Sequence, residues 1–258
     1  MKVAVPALLG DAWRQWRADG GVLSAVAGMF VFLPALAGQM LISRTAMSPP
    51  VPPRPSASGV IDDASAAAYL AEAGAWLATT GTWLAILYVI GHFAVLTMLT
   101  LYLDDRPTVA QALIAAVRRL PVYLVTMLLV ALPVALGFAM LILPGFYASA
   151  RLCLAGPALV AGRAAGPIDA FRKSLALTRG NGVALTGAVM LVALTGLLVQ
   201  QPLLGLDNWI AANAPNPVAR IIVDLAMAGV SMLVLVGNTL IALAAWRRLG
   251  TGPSSGRA

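Results

Sequence analysis

Long apolar runs alternate with short polar segments along most of the chain. A helix needs about 20 mostly apolar residues to cross the hydrocarbon core of a bilayer. Six stretches meet or approach this length, which predicts an all-α, polytopic integral membrane protein with six transmembrane helices. The predicted spans are residues 22–42, 76–103, 121–143, 145–162, 183–199 and 218–246.

Three segments outside these spans have a different, amphipathic pattern. They are residues 1–20, residues 109–120 and the segment from Pro167 to Asn181. Each places apolar residues at helical spacing on one side and most of its charged residues on the other. Helices of this kind lie in the membrane interface. We therefore expect three amphipathic surface helices beside a transmembrane domain over residues 21–248.

The remaining polar segments are predicted to lie outside the membrane. Residues 43–75 are rich in Pro and Ser at their start and predict an extracytoplasmic loop, with a short helix near residues 64–73. Residues 200–217 predict a second loop, and residues 249–258 predict a disordered tail.

Two places in this layout allow an alternative. Residues 121–162 form one mostly apolar run in which Arg151 is the only charged residue, and Pro144-Gly145 lies near its middle. Two spans joined by a hairpin therefore compete with one re-entrant element. The first span competes with a signal peptide that is cleaved near Ala35-Leu36-Ala37. The acidic residues and the length of the preceding segment favour an uncleaved span.

The low content of charged residues supports a membrane protein. Only 10% of the residues are charged and 60% are hydrophobic, whereas an ordinary soluble domain has about 25% charged residues. The net charge is +7, and the basic residues lie between apolar runs. This distribution favours anionic membrane lipids as partners over nucleic acid.

The basic residues near the span ends predict the orientation. With six spans, nearly all of them fall on one side, which the positive-inside rule makes cytoplasmic, together with both termini. That set comprises Lys2, Arg14, Arg17, Arg106, Arg118, Arg119, Arg163, Arg172, Lys173, Arg179, Arg247 and Arg248. The opposite side holds Arg44, Arg54 and Arg220.

The residues that most often carry enzyme chemistry are scarce. Cys153 is the sole cysteine and His92 the sole histidine, and neither an acidic cluster nor a nucleophile beside a base can be recognised. We predict no cofactor, no metal site and no catalytic residue.

Arg151 and Asp224 are the strongest candidates for an intramembrane polar site. Arg151 follows the predicted Pro-Gly turn by six residues, or about 9 Å of helix. Asp224 has a similar predicted depth, so the two could pair, with Arg220 competing for Asp224. In the alternatives, Arg151 binds a lipid phosphate or another anion, or extends to the membrane surface.

Other polar residues have simpler interpretations. His92 lies within the second span and is expected to be packed and hydrogen-bonded rather than part of a proton relay. Gln200 and Asn238 are expected to form interhelical hydrogen bonds. Three basic residues of the last amphipathic segment are candidate contacts for anionic headgroups: Arg172, Lys173 and Arg179.

The segment from Leu143 to Asn181 resembles a known family. An LPGxYxxxRxxxxxP pattern comes first, and an AxRxSxxLTxGN pattern follows it. The matching residues are Pro144, Gly145, Tyr147, Arg151, Pro157, Ser174, Thr178, Gly180 and Asn181. Together they resemble the YciC-like family, related to the membrane domain attached to some glycerophosphoryl diester phosphodiesterases. The resemblance implies a bacterial inner-membrane protein without the catalytic domain of those enzymes.

Three functions are compatible with the sequence. We expect a non-enzymatic inner-membrane protein that binds lipid or a membrane protein partner and supports envelope organisation. A small transporter or channel-like subunit, with a polar lining from Arg151, Asp224 and His92, is the alternative. A lipid-modifying enzyme is the least favoured. A groove near Arg151 that opens sideways to lipid would favour lipid binding or a lipid-modifying enzyme. A water-filled cavity that reaches His92 or Arg151 would favour transport.

Overall fold

The computed structural model describes residues 2–41, 50–54, 62–104, 108–213 and 216–250. All regular structure in these residues is helical, so the all-α prediction is confirmed. The helices are α1 (Val5–Ala27), α2 (Leu33–Leu41), α3 (Asp63–Trp76), α4 (Thr82–Leu103), α5 (Val109–Met140), α6 (Ile142–Leu152), α7 (Ala155–Val160), α8 (Pro167–Leu177), α9 (Gly182–Asn213) and α10 (Pro217–Leu249). Single π-helical turns join α1 to α2 and α3 to α4.

The described residues form six helical segments that are long and apolar enough to cross a membrane. This confirms the predicted number and identifies a multi-pass membrane protein. The segments are Val5–Met40, Asp63–Leu103, Val109–Met140, Ile142–Val160, Gly182–Asn213 and Pro217–Leu249.

Helix α5 merges two elements that the sequence analysis separated. The predicted surface helix 109–120 and the span 121–143 form one helix that passes through Pro121. Thr108 starts this helix with a capping box, in which its hydroxyl and the Gln111 side chain each bind the other residue's backbone N–H. Apolar helices tolerate an internal proline because neighbouring groups compensate for the missing N–H. The predicted break at Pro121 was therefore wrong.

The predicted loop 200–217 was also wrong for most of its length. Helix α9 continues through Pro202 to Asn213. A small apolar cluster holds this extension against α10, and it contains Leu203, Ile210, Val223 and Met227. The burial of these side chains outweighs the local preference of proline for a helix end.

Helices α5 and α6 form a tight hairpin, as the two-span alternative predicted. The chain reverses at Leu141, whose backbone is extended, and Pro144 and Gly145 lie in the first turn of α6. A Cβ added to Gly137 would lie 2.9 Å from the Gly145 Cα. The two backbones can therefore approach closely only because both positions are glycine.

The amphipathic N-terminal segment is continuous with the first span. Helix α1 runs to Ala27 with a kink at Asp19, instead of ending near residue 20 as predicted. Leu8 is fully buried against α10, in a cluster that includes Ile241 and Trp246. The first span is thereby attached to the last one.

Helix α3 confirms the predicted short helix and extends it to Asp63–Trp76. Asp62 caps its N-terminus by accepting a hydrogen bond from the Ser65 N–H at 3.3 Å. Most of the preceding loop, at 43–49 and 55–61, lies outside the described residues, as does the predicted tail from residue 251 onward.

The C-terminal half of α10 forms the axis of the bundle. Every residue from Thr239 to Trp246 is buried. Helices α1, α4 and α9 all contact α10. A helix that is apolar on every side needs such a position, because it has no polar face to present to a surface.

Candidate functional site

The residues of the predicted family pattern meet where α6 ends and α8 passes beside it. The Ser174 hydroxyl donates to the Arg151 carbonyl at 2.8 Å and accepts from the Leu154 N–H at 3.2 Å. The Thr178 hydroxyl lies 3.1 Å from the same carbonyl. Backbone groups at a helix break lack intrahelical partners, and these two buried hydroxyls supply them. We call this cluster, with Leu175, the Arg151 joint.

The Arg151 guanidinium caps the C-terminus of α8. Its Nη2 donates to the Leu175 carbonyl at 2.9 Å, and its Nη1 donates to the Thr178 carbonyl at 3.2 Å. The last carbonyls of a helix lack partners and carry the negative end of the helix dipole. A cation at this position is therefore stabilised without a carboxylate.

The predicted Arg151–Asp224 pair does not form. The Arg151 Cδ lies 3.1 Å from the place where a Cβ of Gly182 would be, at the start of α9. Asp224 follows Arg220 by one turn of α10, and the Arg220 Nε lies 3.6 Å from the Asp207 Oδ1. About 25 residues of α9 separate Gly182 from Asp207, or about 37 Å. Arg151 and Asp224 thus lie at opposite ends of α9.

The depth assigned to Arg151 from the sequence was wrong for a local reason. The chain reverses at Leu141, three residues before the predicted turn, and α6 ends after only 11 residues. Arg151 in the last turn of α6 therefore reaches α8, which lies between the fourth and fifth long helical segments in the chain.

The other residues of the family pattern extend the joint. Gly180 has a φ of +80°, the left-handed conformation that commonly ends a helix. The Asn181 Oδ1 accepts a hydrogen bond from the Val3 N–H at 2.8 Å. A Cβ on Gly182 would lie 2.9 Å from the Tyr147 ring. The pattern therefore connects α6, α8, α9 and the N-terminus, while Pro157 is buried in α7.

The three candidate headgroup contacts have different surroundings. Arg172 and Arg179 are exposed. The Lys173 Nζ lies 2.8 Å from the Asp169 Oδ2 and also donates to the Arg163 carbonyl. The hydrogen bond from Lys173 holds the pKa of the Asp169 carboxyl below its usual value. Lys173 is thus engaged within the protein, and the two arginines face outward.

The described residues line a lateral cleft of about 860 Å³. Its lining side chains come from α4, α5, α6, α7, α9 and α10. Phe138 and Leu197 line the cleft and remain 43% and 47% exposed, so it opens at the side of the bundle. Its volume lies within the range of small-molecule sites, about 300–1,000 Å³.

The cleft lining is apolar except for a few uncharged side chains. Among the described lining residues there is no Asp, Glu, Lys or Arg, so neither Arg151 nor Asp224 belongs to it. The Gln200 Nε2 donates to the Ser231 Oγ at 3.1 Å, and the Ser231 hydroxyl donates to the Met227 carbonyl at 3.0 Å. The interhelical hydrogen bond predicted for Gln200 is confirmed.

Asn238 lies in the same lining but differs from Gln200. Its Oδ1 is buried, and no described residue donates a hydrogen bond to it. The hydrogen bond predicted for this side chain is therefore missing. Buried polar atoms without a partner are rare in native proteins. Asn238 is one of several described residues that carry such an atom, and of these residues it alone lines the cleft.

His92 is the predicted site residue that does line the cleft. Its Nδ1 lies 2.9 Å from the Tyr88 carbonyl oxygen, and its ring centroid lies 4.0 Å from that of Tyr88. It is hydrogen-bonded, as predicted. Because a carbonyl oxygen only accepts, Nδ1 carries the hydrogen, and in the neutral ring Nε2 is an acceptor.

Sequence reasoning did not assemble this cleft, although one signal was present. Ser231 and Asn238 are seven residues apart in an apolar helix, which places them on the same face two turns apart. Their alignment with His92 and Gln200 depends on contacts between α4, α9 and α10, which a single sequence does not give.

Comparisons with known proteins complete the description of the site. No curated protein and no solved structure matches the chain. One family model matches residues 59–249, a range that includes both the Arg151 joint and the lateral cleft. Because this match covers well over half of the sequence, the chain belongs to the family described as Domain of unknown function (DUF7847).

Proposed function

We propose that this protein is a non-enzymatic integral membrane protein that holds the apolar chain of a membrane lipid in the lateral cleft. The observation that carries the proposal is a cavity of about 860 Å³ with a mostly apolar lining and an opening at the side of the bundle. Water can form few hydrogen bonds with such an apolar lining. A lipid chain, in contrast, can enter the cavity from the bilayer and contact the apolar side chains.

The exposed basic residues suit a second, weaker contact with lipid. Arg172 and Arg179 project from the segment that carries the Arg151 joint. Each basic residue near an anionic membrane surface contributes about 1 kcal/mol of attraction. On this proposal the positively charged side is cytoplasmic, the membrane is the bacterial inner membrane, and lipid binding there supports envelope organisation. The resemblance to the YciC-like family agrees with this location and remains a prediction.

A transport function is the second candidate. It is favoured by the polar side chains that share the cleft, namely Gln200, Ser231, Asn238 and His92. The lining first expected for a transporter must be revised, because Arg151 and Asp224 lie elsewhere. The long apolar wall and the side opening support lipid binding more strongly.

The proposal is tested by filling the cleft. Ala131→Phe on α5 and Ala193→Phe on α9 each place a ring among the lining residues. Ala211→Phe makes the same change on an exposed part of α9 and is the matched control. Native mass spectrometry should detect lipid on the wild type and the control, and a loss of at least tenfold in both filled variants. Equal retention by all four proteins would overturn the proposal.

A further inference from the structure

The polar groups of the lateral cleft indicate which class of lipid it takes. We infer that the ligand is an uncharged lipid with a free hydroxyl group, whose hydroxyl binds Asn238 and His92 while its chain lies along α5. This inference rests on the proposed function and adds the chemistry of the ligand. It differs from the anionic lipid that the basic residues attract at the membrane surface.

The absence of charge in the cleft argues against an anionic headgroup there. Among the described residues the lining holds no Lys or Arg. An ion that enters a low-dielectric site without a counter-charge loses solvation free energy that nothing restores. Arg151 was the candidate for binding an anion in the sequence analysis. Its two terminal nitrogens instead donate hydrogen bonds to the Leu175 and Thr178 carbonyls.

The buried Asn238 Oδ1, which has no hydrogen-bond partner among the described residues, favours a ligand with a hydrogen-bond donor. Leaving a buried acceptor without a hydrogen bond costs about 1–3 kcal/mol, and the neighbouring Gln200 avoids this cost by binding Ser231. A hydroxyl both donates and accepts, so it satisfies the Asn238 amide in either orientation of its oxygen and nitrogen.

His92 provides a second acceptor in the lining of the same cleft. A Cβ on Gly91, the residue before His92, would lie 3.9 Å from the Leu235 Cδ1. Asn238 follows Leu235 by three residues, so it occupies the next turn of the same face of α10. Helices α4 and α10 are thus in contact, and His92 on α4 and Asn238 on α10 both line the cleft.

The apolar lining of the cleft extends along α5. Its lining side chains recur at three- and four-residue spacing, which places them on one face of the helix. They are Tyr123, Met127, Val130, Ala131, Val134 and Phe138. A lipid chain in the cleft can follow this face to the side opening near Phe138.

The test compares three probes on the intact protein in detergent, by native mass spectrometry. They are a diacylglycerol, the same diacylglycerol with its hydroxyl acetylated, and phosphatidylglycerol with the same chains. We expect the wild type to bind diacylglycerol about tenfold more tightly than the acetylated probe, which corresponds to one hydrogen bond of about 1.4 kcal/mol. Phosphatidylglycerol should not displace diacylglycerol from the cleft.

Variants locate the contact. Asn238→Leu and His92→Phe should each weaken diacylglycerol binding by about tenfold and leave binding of the acetylated probe unchanged. Asn208→Leu, at an exposed position of α9 outside the cleft, should change neither affinity. The comparison of probes on the wild type needs no variant, so a misfolded variant does not remove the test.

The outcomes separate this inference from the proposed function. Equal binding of the free and acetylated probes, or preferred binding of phosphatidylglycerol in the cleft, would overturn the hydroxyl assignment. Either result, with binding lost in Ala131→Phe, would leave the lipid in the cleft. Probe binding that is unaffected by Ala131→Phe would overturn both.

Discussion

At the residue scale, Arg151 shows how a charged side chain can be satisfied without an opposite charge. Two backbone carbonyls at the end of α8 accept its hydrogen bonds, and the helix dipole adds a favourable field. Charged residues at membrane depth usually face a partner, and the sequence suggested a carboxylate. The partner is instead a helix end that lies within 30 residues in the chain.

Arg151→Gln should therefore destabilise the protein. The shorter, neutral side chain loses both charge-assisted bonds, each of which contributes about 1.5–3 kcal/mol. We expect a lower midpoint of thermal unfolding in detergent, while Arg172→Gln, at an exposed position of α8, leaves it unchanged. If Arg151→Gln were as stable as the wild type but lost a bound anionic lipid, Arg151 would be a ligand residue.

Ser174→Ala tests the other half of the Arg151 joint. The Ser174 hydroxyl serves two backbone groups, the Arg151 carbonyl and the Leu154 N–H, and the residue is fully buried. Its removal leaves the Leu154 N–H without this acceptor at a cost of about 1–3 kcal/mol, while the Arg151 carbonyl keeps the Thr178 hydroxyl. Chemical denaturation should show the loss, and Ser174→Thr should retain more stability than Ser174→Ala. Equal stability of the alanine variant and the wild type would contradict this role.

At the element scale, the helices were predictable in number but not in all their bounds. Apolar run length identified six segments because the bilayer sets the length of each span. Pro121 and Pro202 were predicted to lie at helix ends, but both lie inside helices. Local preference for a helix end was overridden by packing, which for Pro202 includes the cluster around Ile210. A pattern read along the chain contains no information about such contacts.

The α5–α6 hairpin depends on the close approach of two glycines. In Gly137→Ala the new methyl group would lie 2.9 Å from backbone atoms of Pro144 and Gly145, which can yield only if the helices separate. Overpacking of this kind costs about 1–3 kcal/mol. Gly205→Ala is the control, because it lies within α9 with no atom within 4 Å of the new Cβ. It should leave stability unchanged or raise it, by at most about 1 kcal/mol.

Gly137→Ala should therefore lower the midpoint of thermal unfolding, whereas Gly205→Ala should leave it unchanged or raise it. Measured in the same detergent, Gly137→Ala should unfold at a lower temperature than the wild type. A hairpin that accommodates the methyl group without loss of stability would show that the close approach is not required.

At the scale of the whole molecule, the sequence predicted the environment of the protein better than its site. Low charge and long apolar runs indicated the membrane, and six helical segments of sufficient length agree. The cleft joins side chains from six helices between Tyr88 and Ala242. The polar residues that line the cleft are determined by how each helix is rotated and which helices it contacts. Both depend on the packing of the whole bundle.

Orientation is the remaining property of the whole molecule, and it follows from charge. Asp63 begins a helical segment of 41 residues, so it lies about 60 Å of helix from Leu103. Just beyond Leu103, the Asp104 Oδ2 lies 2.9 Å from the Arg119 Nη1. Arg119 is one of the basic residues that should face the cytoplasm. Arg172 belongs to the same basic set. Asp63 and Arg172 should therefore be accessible from opposite sides of the membrane.

Single cysteines at these positions test the orientation. Cys153 is the sole native cysteine, so Cys153→Ala gives a background without thiols. In intact spheroplasts a membrane-impermeant maleimide should label Asp63→Cys, because this exposed residue precedes the second span on the outer side. It should label Arg172→Cys only after permeabilisation. Labelling in the reverse order would place the basic residues outside, against the positive-inside rule. Labelling of both before permeabilisation would mean that an odd number of the segments between them fails to cross the membrane.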